Sequence, residues 1–307
     1  MMYLGIDTSN YTTSTALFDG TRVIQRKKLL EVKSGQCGLR QSDAVFAHTV
    51  NLPELMQSLS SEIMGLEGVG VSVRPRTVSG SYMPCFLAGR SSAYAIGCAA
   101  GIPVYETSHQ IGHILAALYS AERLDFIHER FIAFHVSGGT TEALLVTPDE
   151  TEIISAQVVA QSTDLKAGQG IDRTGVMLGL PFPAGKEIDV LAQQSQRRFK
   201  IKPSMNGSDC SLSGIENKCR RMIEEGEEAR DVARFAVDYV LAAVDGMTQR
   251  VLDRYGALPL VFAGGVMSNS IISKVISEKY GALFAESAYS CDNAVGVAIQ
   301  AYLKDKR

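Results

Sequence analysis

Residues 2–18 read MYLGIDTSNYTTSTALF, and residues 131–147 read FIAFHVSGGTTEALLVT. Each stretch contains an apolar strand, a turn of small and hydroxyl-bearing residues, and a second strand. Asp19-Gly20 then predicts a hairpin turn into a third strand over residues 22–30. A pattern that opens each half of a chain indicates an internal duplication. We therefore expect an α/β protein of two lobes, each a mixed sheet with helices around it, and a central cleft.

The length of the chain supports the same division. Its 307 residues suit two lobes of about 150 residues each. We expect an N-terminal lobe over residues 1–127 and a C-terminal lobe over 128–307, with the option that the last helix packs back on the N-terminal lobe. Apolar spacing predicts helices over residues 43–64, 86–100, 186–196, 215–225, 269–280 and 293–303, and a long one through 232–251.

Composition narrows the class of protein. The formal charge of −3 gives no overall attraction to nucleic acid, so such binding would need a local basic patch or a partner. The six cysteines show no C-x-x-C pairing, which favours reduced thiols in a cytoplasmic protein. No cationic start precedes Asp7 and Asp19, and no apolar run approaches a membrane span. We expect a soluble cytoplasmic protein with neither a signal peptide nor a membrane partner.

A histidine pair is the first candidate for chemistry. Thr107 or Ser108 can cap a helix on which His109 and His113 lie four residues apart, so both imidazoles share one face within reach of one ion. The glutamate of His-Glu-x-x-His is missing, which excludes a metalloprotease. Two histidines at this spacing are also common as ordinary surface or core residues, and that reading stays open beside the metal site.

Glycine turns are the second candidate. Ser137-Gly-Gly-Thr140 follows one strand, and Gly264-Gly265 follows the strand at 258–263 and opens a helix. Such turns bring backbone N–H groups and a positive helix end to a phosphate, which indicates a nucleotide. Asp172, in what reads as a helix start, could hold ribose hydroxyls or be a solvated acid. Asp292 could cap the last helix or complete the histidine site.

Two basic segments allow two interpretations each. Arg74 and Arg76 lie in the irregular loop 74–84, which suits an anionic ligand or a solvated loop equally well. Residues 197–202, the most basic run, could touch RNA phosphates or form an exposed strand.

Taken in order, these pieces resemble the TsaD/Gcp family of the actin-like ATPase and sugar kinase superfamily. The likeness covers nearly the whole chain, and although each piece is short, the ordered set is specific. The matching pieces are Ile6-Asp7-Thr8-Ser9, His109-x-x-x-His113, Val136-Ser-Gly-Gly139, Ala167-Gly168 through Asp172, Leu178-Gly-Leu-x-x-Pro183, Ser211-Leu-Ser-Gly214, Ala263-Gly-Gly-Val266 with Asn269, and Cys291-Asp-Asn293.

The resemblance implies a function. Members of this family transfer a threonylcarbamoyl group from threonylcarbamoyl-adenylate to the N6 amine of adenosine 37 in tRNAs that read ANN codons. It implies the actin-like two-lobed fold, one divalent metal (iron or zinc) and an adenylate or ATP-type nucleotide. It also implies tRNA as a partner, with TsaB-like, TsaE-like or other TsaD-family proteins as further candidates.

The resemblance also assigns roles to residues. His109, His113 and Asp292 would bind the metal. Ser137, Gly138 and Gly139, with Thr140, would line the phosphate or carbamoyl end. The ribose and adenine would be held by Asp172, Gly185 and Asn269, with Gly264 and Gly265 beside them. Asp7 and Ser9 are the candidate catalytic residues.

Departures from the family pattern limit this interpretation. Asn10-Tyr11-Thr12-Thr13 stands where the family has Cys-Asp-Glu-Thr, so two acids are missing, and Thr140 replaces a histidine. Arg74-Pro-Arg76 replaces Gly-Pro-Gly, Gln169 replaces a glutamate and Ala184 a glycine. We interpret the chain as a divergent paralogue, with a different acceptor or a non-catalytic partner role as alternatives. A small-molecule kinase using Asp7 would leave the histidine pair unexplained.

Overall fold

The computed structural model describes residues 1–9, 11–31 and 39–307. Its first sheet contains β1 (Met2–Ser9), β2 (Thr12–Phe18), β3 (Val23–Leu29), β4 (Leu66–Arg74) and β5 (Val104–Ser108), in the order β3-β2-β1-β4-β5. β1 runs antiparallel to β2 and parallel to β4. The predicted hairpin turn is confirmed, because the Asp19 carboxylate accepts hydrogen bonds from the backbone N–H groups of Thr21 and Arg22.

The second sheet repeats this arrangement. It is built from β6 (Phe131–Val136), β7 (Thr141–Asp149), β8 (Ile153–Gln161), β11 (Leu260–Ala263) and β12 (Leu283–Phe284), in the order β12-β11-β6-β7-β8, and a separate hairpin joins β9 (Ser204–Asn206) to β10 (Asp209–Ser211). β6 is antiparallel to β7 and parallel to β11, as β1 is to β2 and β4. The predicted duplication and the α/β fold class are therefore confirmed.

Helices connect and cover the strands. They are α1 (Gln41–Leu59), α2 (Phe86–Ala100), α3 (His109–Ser120), α4 (Ala167–Met177), α5 (Gly185–Gln194), α6 (Gly214–Glu224), α7 (Ala229–Tyr255), α8 (Ser270–Tyr280) and α9 (Val295–Asp305), with short 3₁₀ helices at Leu124–His128 and Gly265–Ser268. None of the helices in the described ranges is both long and apolar enough to cross a membrane.

Two local predictions were wrong. Residues 197–202 form no strand, because the backbone N–H of Phe199 donates to the carboxylate of Asp238 instead of to a neighbouring strand. Asp172 is the sixth residue of α4 instead of lying at a helix start.

The chain divides into two compact units. The first comprises Met1–Glu129, Thr147–Ala156 and Ala288–Arg307, and the second comprises Arg130–Val146 and Gln157–Ser287. The predicted boundary between residues 127 and 128 is a single cut in the sequence, whereas each of these units combines several segments of the chain. The predicted boundary therefore stays a prediction.

In the first unit, helix α9 packs against the first sheet at unusually short range. A Cβ added to Gly5 would lie 2.4 Å from the carbonyl oxygen of Ala294, and one added to Gly70 would lie 2.4 Å from that of Val297. Glycine is therefore required at both points, since any side chain would push the helix away. This contact holds the start of α9 over the middle of β1.

In the second unit, the core lies between the second sheet and helix α7. Ile132, Phe134 and Val136 of β6 point into this core, and the rings of Phe134 and Phe262 stack with their centroids 4.4 Å apart. The turns that follow β6 and β11 therefore leave a buried, rigid sheet.

Candidate functional site

The histidine pair opens helix α3. Strand β5 delivers the chain to Ser108, whose hydroxyl caps the helix by accepting from the backbone N–H of Ile111 at 3.3 Å. His109 and His113 then lie on one face, with their Nε2 atoms 2.9 Å apart. Two imidazole lone pairs repel at this distance, so either a proton or a cation must lie between the rings.

Asp292 joins the pair from the other end of the chain. Its Oδ1 lies 3.3 Å from Nε2 of His113 and 3.5 Å from Nε2 of His109. The alternative role as a helix cap is not observed, because α9 begins at Val295 and the side chain of Asn293 accepts from the backbone N–H of Val295. The Asp292 carboxylate is thus available to the histidines.

This group has the geometry of a metal site. Its three ligand atoms lie within 4.8 Å of one another. Ligand atoms that bind one ion at about 2.0–2.2 Å are about 2.8–3.6 Å apart, which matches the three distances above. Two imidazole nitrogens and one carboxylate oxygen suit zinc or iron(II) and leave coordination positions open for a substrate.

Asp7 contacts the first histidine of the pair. It is fully buried at the end of β1, where its Oδ1 accepts from the hydroxyl of Ser72 and lies 3.1 Å from Nδ1 of His109. Its Oδ2 is also buried and has no hydrogen-bond partner among the described residues. Ser9, the other predicted catalytic residue, is buried at the end of the same strand, and no residue in the part of the chain that the structure describes pairs with its hydroxyl.

The charges in this group are strongly coupled. Burial by itself would lower the pKa of His109, but the carboxylates of Asp7 and Asp292 raise it to about 10. Burial would raise the pKa of Asp292, yet hydrogen bonds from His109 and His113 hold it well below its ordinary value. The pKa of Asp7 is likewise lowered by His109 and Ser72, against the effect of burial. The site is therefore built to hold cationic charge between two carboxylates.

The predicted glycine turn after β6, in the second unit, is stabilised by hydrogen bonds within the turn. The hydroxyl of Ser137 accepts from the backbone N–H groups of Gly139 and Thr140, at 3.3 and 3.1 Å. A Cβ on Gly168 would lie 2.6 Å from the backbone nitrogen of Gly138, so glycine lets α4 start against this turn. Gly264 is required for a similar reason, since its φ is +103° and a Cβ there would lie 2.2 Å from the carbonyl oxygen of Val136.

A cavity of about 460 Å³ lies among these turns, wholly within the second unit. Five of the predicted nucleotide-binding residues line it: Gly138, Asp172, Gly185, Gly265 and Asn269. Residues to which the sequence assigned no role in binding also line it: Gly168, Ile171, Pro183, Lys186, Glu187, Asp189, Val266, Ser268, Ile272 and Ser287. Its charged and apolar walls come from helix faces, where sequence spacing does not distinguish a pocket from open surface.

Two polar side chains of the cavity are held in place by backbone groups. Asp172 accepts from the N–H of Ala184 at 2.8 Å, and burial raises its pKa against this hydrogen bond. The side-chain oxygen of Asn269 caps α8 by accepting from the N–H groups of Ile271 and Ile272. Its amide nitrogen is consequently the part of Asn269 that can donate to a ligand.

Two of the predicted basic side chains have local partners. Arg74 lies 3.6 Å from the carboxylate of Glu152. Arg197 pairs with Glu227 and Asp231, which neutralises the start of the 197–202 run. Contact of Arg74, Arg76 and this run with RNA stays a prediction. Of the departures in residues 10–13, Asn10 lies outside the described residues, Tyr11 is exposed and Thr12 is buried.

Comparison with solved structures identifies the fold. The chain superposes on the (R)-2-hydroxyglutaryl-CoA dehydratase component A of Acidaminococcus fermentans with a TM-score of 0.59 and 16% identity, covering the whole of both chains. It matches the ROK hexokinase of Thermus thermophilus with a TM-score of 0.54 and 14% identity, covering 100% of this chain and 99% of that one. These likenesses show the fold alone, and the fold is that of the actin-like ATPase and sugar kinase superfamily.

Sequence comparison then gives the family. The sequence model for "TsaD: tRNA N6-adenosine threonylcarbamoyltransferase" matches residues 33–299. The tRNA N6-adenosine threonylcarbamoyltransferase of Aromatoleum aromaticum is 30% identical, over 88% of this chain and 80% of that protein. The Enterococcus faecalis protein of the same name is 28% identical, over 100% of this chain and 91% of that protein. The chain belongs to the TsaD family, so the predicted resemblance is confirmed.

Proposed function

We propose that the protein transfers a threonylcarbamoyl group from an adenylate to the N6 amine of adenosine 37 in tRNA, with the aid of one divalent metal. The observation that carries this proposal is the convergence of His109, His113 and Asp292, which bring three ligand atoms within 4.8 Å of one another. Two of these residues lie on α3, and the third is 179 positions away from His113. The reaction is proposed because the chain belongs to the TsaD family. The cytoplasm is the proposed location because the proposed acceptor is tRNA.

The metal ligands in this proposal are His109, His113 and Asp292, and the ion is iron or zinc. When bound, the ion supplies a Lewis acid for a carbonyl or phosphate oxygen of the adenylate. The protein's part is to hold three ligand atoms on one side and to leave the other side open. Asp7 keeps the His109 ring in place through the contact with its Nδ1.

The nucleotide is proposed to bind in the cavity of the second unit. Asp172 can accept hydrogen bonds from ribose hydroxyls, since one of its oxygens is already fixed by Ala184. The amide nitrogen of Asn269 can donate to a ring nitrogen of adenine, and Ile171 and Ile272 supply apolar walls. The backbone N–H groups of the turn at 137–140 and of Gly265 supply donors for phosphate or carbamoyl oxygens.

Metal analysis gives the first test. Purified protein should contain close to one equivalent of iron or zinc, and His109→Gln and Asp292→Ala should each lose it. His128→Gln is the matched control, because His128 is exposed and outside the group. Metal that never appears, or that survives both substitutions, would show that the proposed site is wrong.

Transfer itself is tested with threonylcarbamoyl-adenylate and unmodified tRNA, in the presence and absence of candidate partner proteins. Formation of threonylcarbamoyladenosine by the wild type, and its loss in the two metal-ligand variants, is the expected result. Adenylate binding without transfer in every combination would contradict the proposed acceptor.

In a second candidate function, the protein still binds the nucleotide but either uses a different acceptor or does not catalyse transfer. It is favoured by Thr12, a buried neutral residue at a position where the family pattern has an acid. Under this alternative, the protein would carbamoylate another acceptor or serve as a nucleotide-binding partner of another TsaD-family protein. Mass spectrometry of candidate acceptors after incubation with the adenylate separates the two roles, since a partner protein would modify none of them.

A further inference from the structure

Asp7 lies at the end of β1, at the junction of three elements of the first unit. It is fully buried in β1, opposite Ser14 of β2. Its Oδ1 accepts from the hydroxyl of Ser72, which is itself fully buried in β4, and lies 3.1 Å from Nδ1 of His109 in α3. One carboxylate therefore ties two strands to the first residue of the helix that carries both histidines.

We infer that Asp7 is a positioning residue that fixes the ring of His109 for metal binding, and not a group that contacts the substrate. The inference rests on the proposed metal centre. A neutral imidazole carries one N–H, and a carboxylate beside Nδ1 places that proton there. The lone pair is then on Nε2, the atom that lies 2.9 Å from His113 and 3.5 Å from Asp292.

The hydrogen bond from Ser72 to Asp7 fixes the orientation of the carboxylate that contacts His109. The Ser72 hydroxyl donates to the same oxygen that faces His109, so rotation of the carboxylate would break two interactions at once. A histidine ring can turn about its χ2 bond over a broad range, so an unsupported His109 would present either nitrogen or neither. The pair Ser72 and Asp7 removes that freedom before an ion arrives.

Burial argues against contact with a substrate. Asp7 has no exposed surface in the described structure, and its nearer oxygen is shared by Ser72 and His109. A base that takes a proton from a substrate must lie within hydrogen-bond reach of it. Asp7 meets the requirements of a support for a metal ligand instead.

Zinc affinity is the direct test, measured with Zn²⁺ alone by competition against a chromogenic chelator. Asp7→Ala removes both oxygens and is expected to weaken binding by about 10- to 100-fold. Asp7→Asn keeps one acceptor and should lie between Asp7→Ala and the wild type. Ser72→Ala should give a smaller loss of zinc affinity, because it removes only the hydrogen bond that orients the Asp7 carboxylate.

Thr15→Val is the matched control, since Thr15 is fully buried in the neighbouring β2 and its hydroxyl has no partner within the described ranges. Its zinc affinity should equal that of the wild type. Circular dichroism and thermal unfolding establish that each variant is folded. If Asp7→Ala does not fold, the zinc affinities of Asp7→Asn and Ser72→Ala test the inference. Wild-type zinc affinity in every folded Asp7 and Ser72 variant would overturn the inference.

Nuclear magnetic resonance gives a readout that does not depend on metal binding. Long-range proton–nitrogen spectra of the histidine rings, assigned with His109→Gln, should show a protonated Nδ1 on His109 in the wild type. That proton should exchange faster in Asp7→Ala. A wild-type His109 with no proton on Nδ1 would also overturn the inference. A wild type that binds no zinc would remove the proposed function, and this spectrum would still decide the role of Asp7.

Discussion

His48 is a fully buried imidazole on helix α1, far in sequence from the metal ligands. Its Nδ1 lies 2.8 Å from the hydroxyl of Thr13. Burial lowers the pKa of His48 and outweighs the opposing charge of Asp7. The folded protein therefore holds this ring neutral at a pH where the unfolded chain would protonate it.

This lowered pKa predicts a loss of stability in acid. As the pH falls below about 6.5, the ordinary value for histidine, the unfolded chain takes up a proton that His48 in the folded state does not. The free energy of unfolding then decreases, by at most about 1.4 kcal/mol per pH unit for one proton. His48→Leu should show a shallower decrease in urea unfolding measured between pH 7 and pH 5.

His128→Leu provides the comparison, because it removes an exposed imidazole of the same unit. The difference between the two variants isolates the buried ring from the other groups that titrate in this range. A His48→Leu protein with the same pH dependence as the His128→Leu protein would contradict the prediction.

At the scale of elements, the metal ligands depend on how closely α3 and α9 cross. Gly112 lies next to His113 on α3, and Gly296 lies four residues after Asp292. A Cβ on Gly296 would lie 1.8 Å from the carbonyl oxygen of Gly112 and 2.8 Å from the backbone nitrogen of Ala116. Both contacts are to backbone, so the helices would have to separate.

Gly296→Ala is therefore expected to lower the free energy of unfolding by about 1–3 kcal/mol or more. It should also weaken zinc binding, because Asp292 would move away from the histidines. Urea unfolding and chelator competition measure the two effects.

Gly112→Ala is the control within the same crossing. A Cβ there would lie 3.0 Å from one methyl group of Val297, which can adjust, so a smaller loss is expected. Equal losses in the two variants would show that the backbone contact is not what sets the helix spacing.

The duplicated fold was predictable from sequence because each half opens with the same local signal. A strand, a small polar turn and a second strand are encoded by neighbouring residues in both halves. Strand β8 was missed, and the basic run at 197–202 was wrongly considered as a strand, because pairing partners and carboxylates such as Asp238 come from distant segments.

The candidate site was only partly predictable for the same reason. The spacing of His109 and His113 indicates a shared helix face, but nothing local connects them with Asp292. From its own surroundings Asp292 could equally cap the last helix, and the resemblance to a family favoured the metal-binding role. The support of His109 by Asp7 and Ser72 had no sequence signal, since β1, β4 and α3 meet only in the folded chain.

At the scale of the whole molecule, the two candidate sites draw on separate parts of the chain. The metal ligands and Asp7 belong to the first compact unit, and every residue that lines the cavity belongs to the second. No residue is shared between them. Binding of a ligand that needs only one set of residues should therefore be insensitive to substitutions in the other.

This separation predicts different behaviour for two related ligands. If the nucleotide binds as proposed, adenosine uses only the cavity, so its affinity should fall in Asp172→Ala and stay within about threefold of the wild type in His109→Gln. Threonylcarbamoyl-adenylate, if the proposed function is correct, also reaches the metal with its carbamoyl or phosphate oxygens. Its affinity should then fall by tenfold or more in both variants, which corresponds to about 1.4 kcal/mol for each. Isothermal titration of both ligands against zinc-loaded wild type and variants measures these changes. If His109→Gln bound the adenylate as tightly as the wild type, one molecule would not be using both sets of residues, and the metal would have no part in holding the donor.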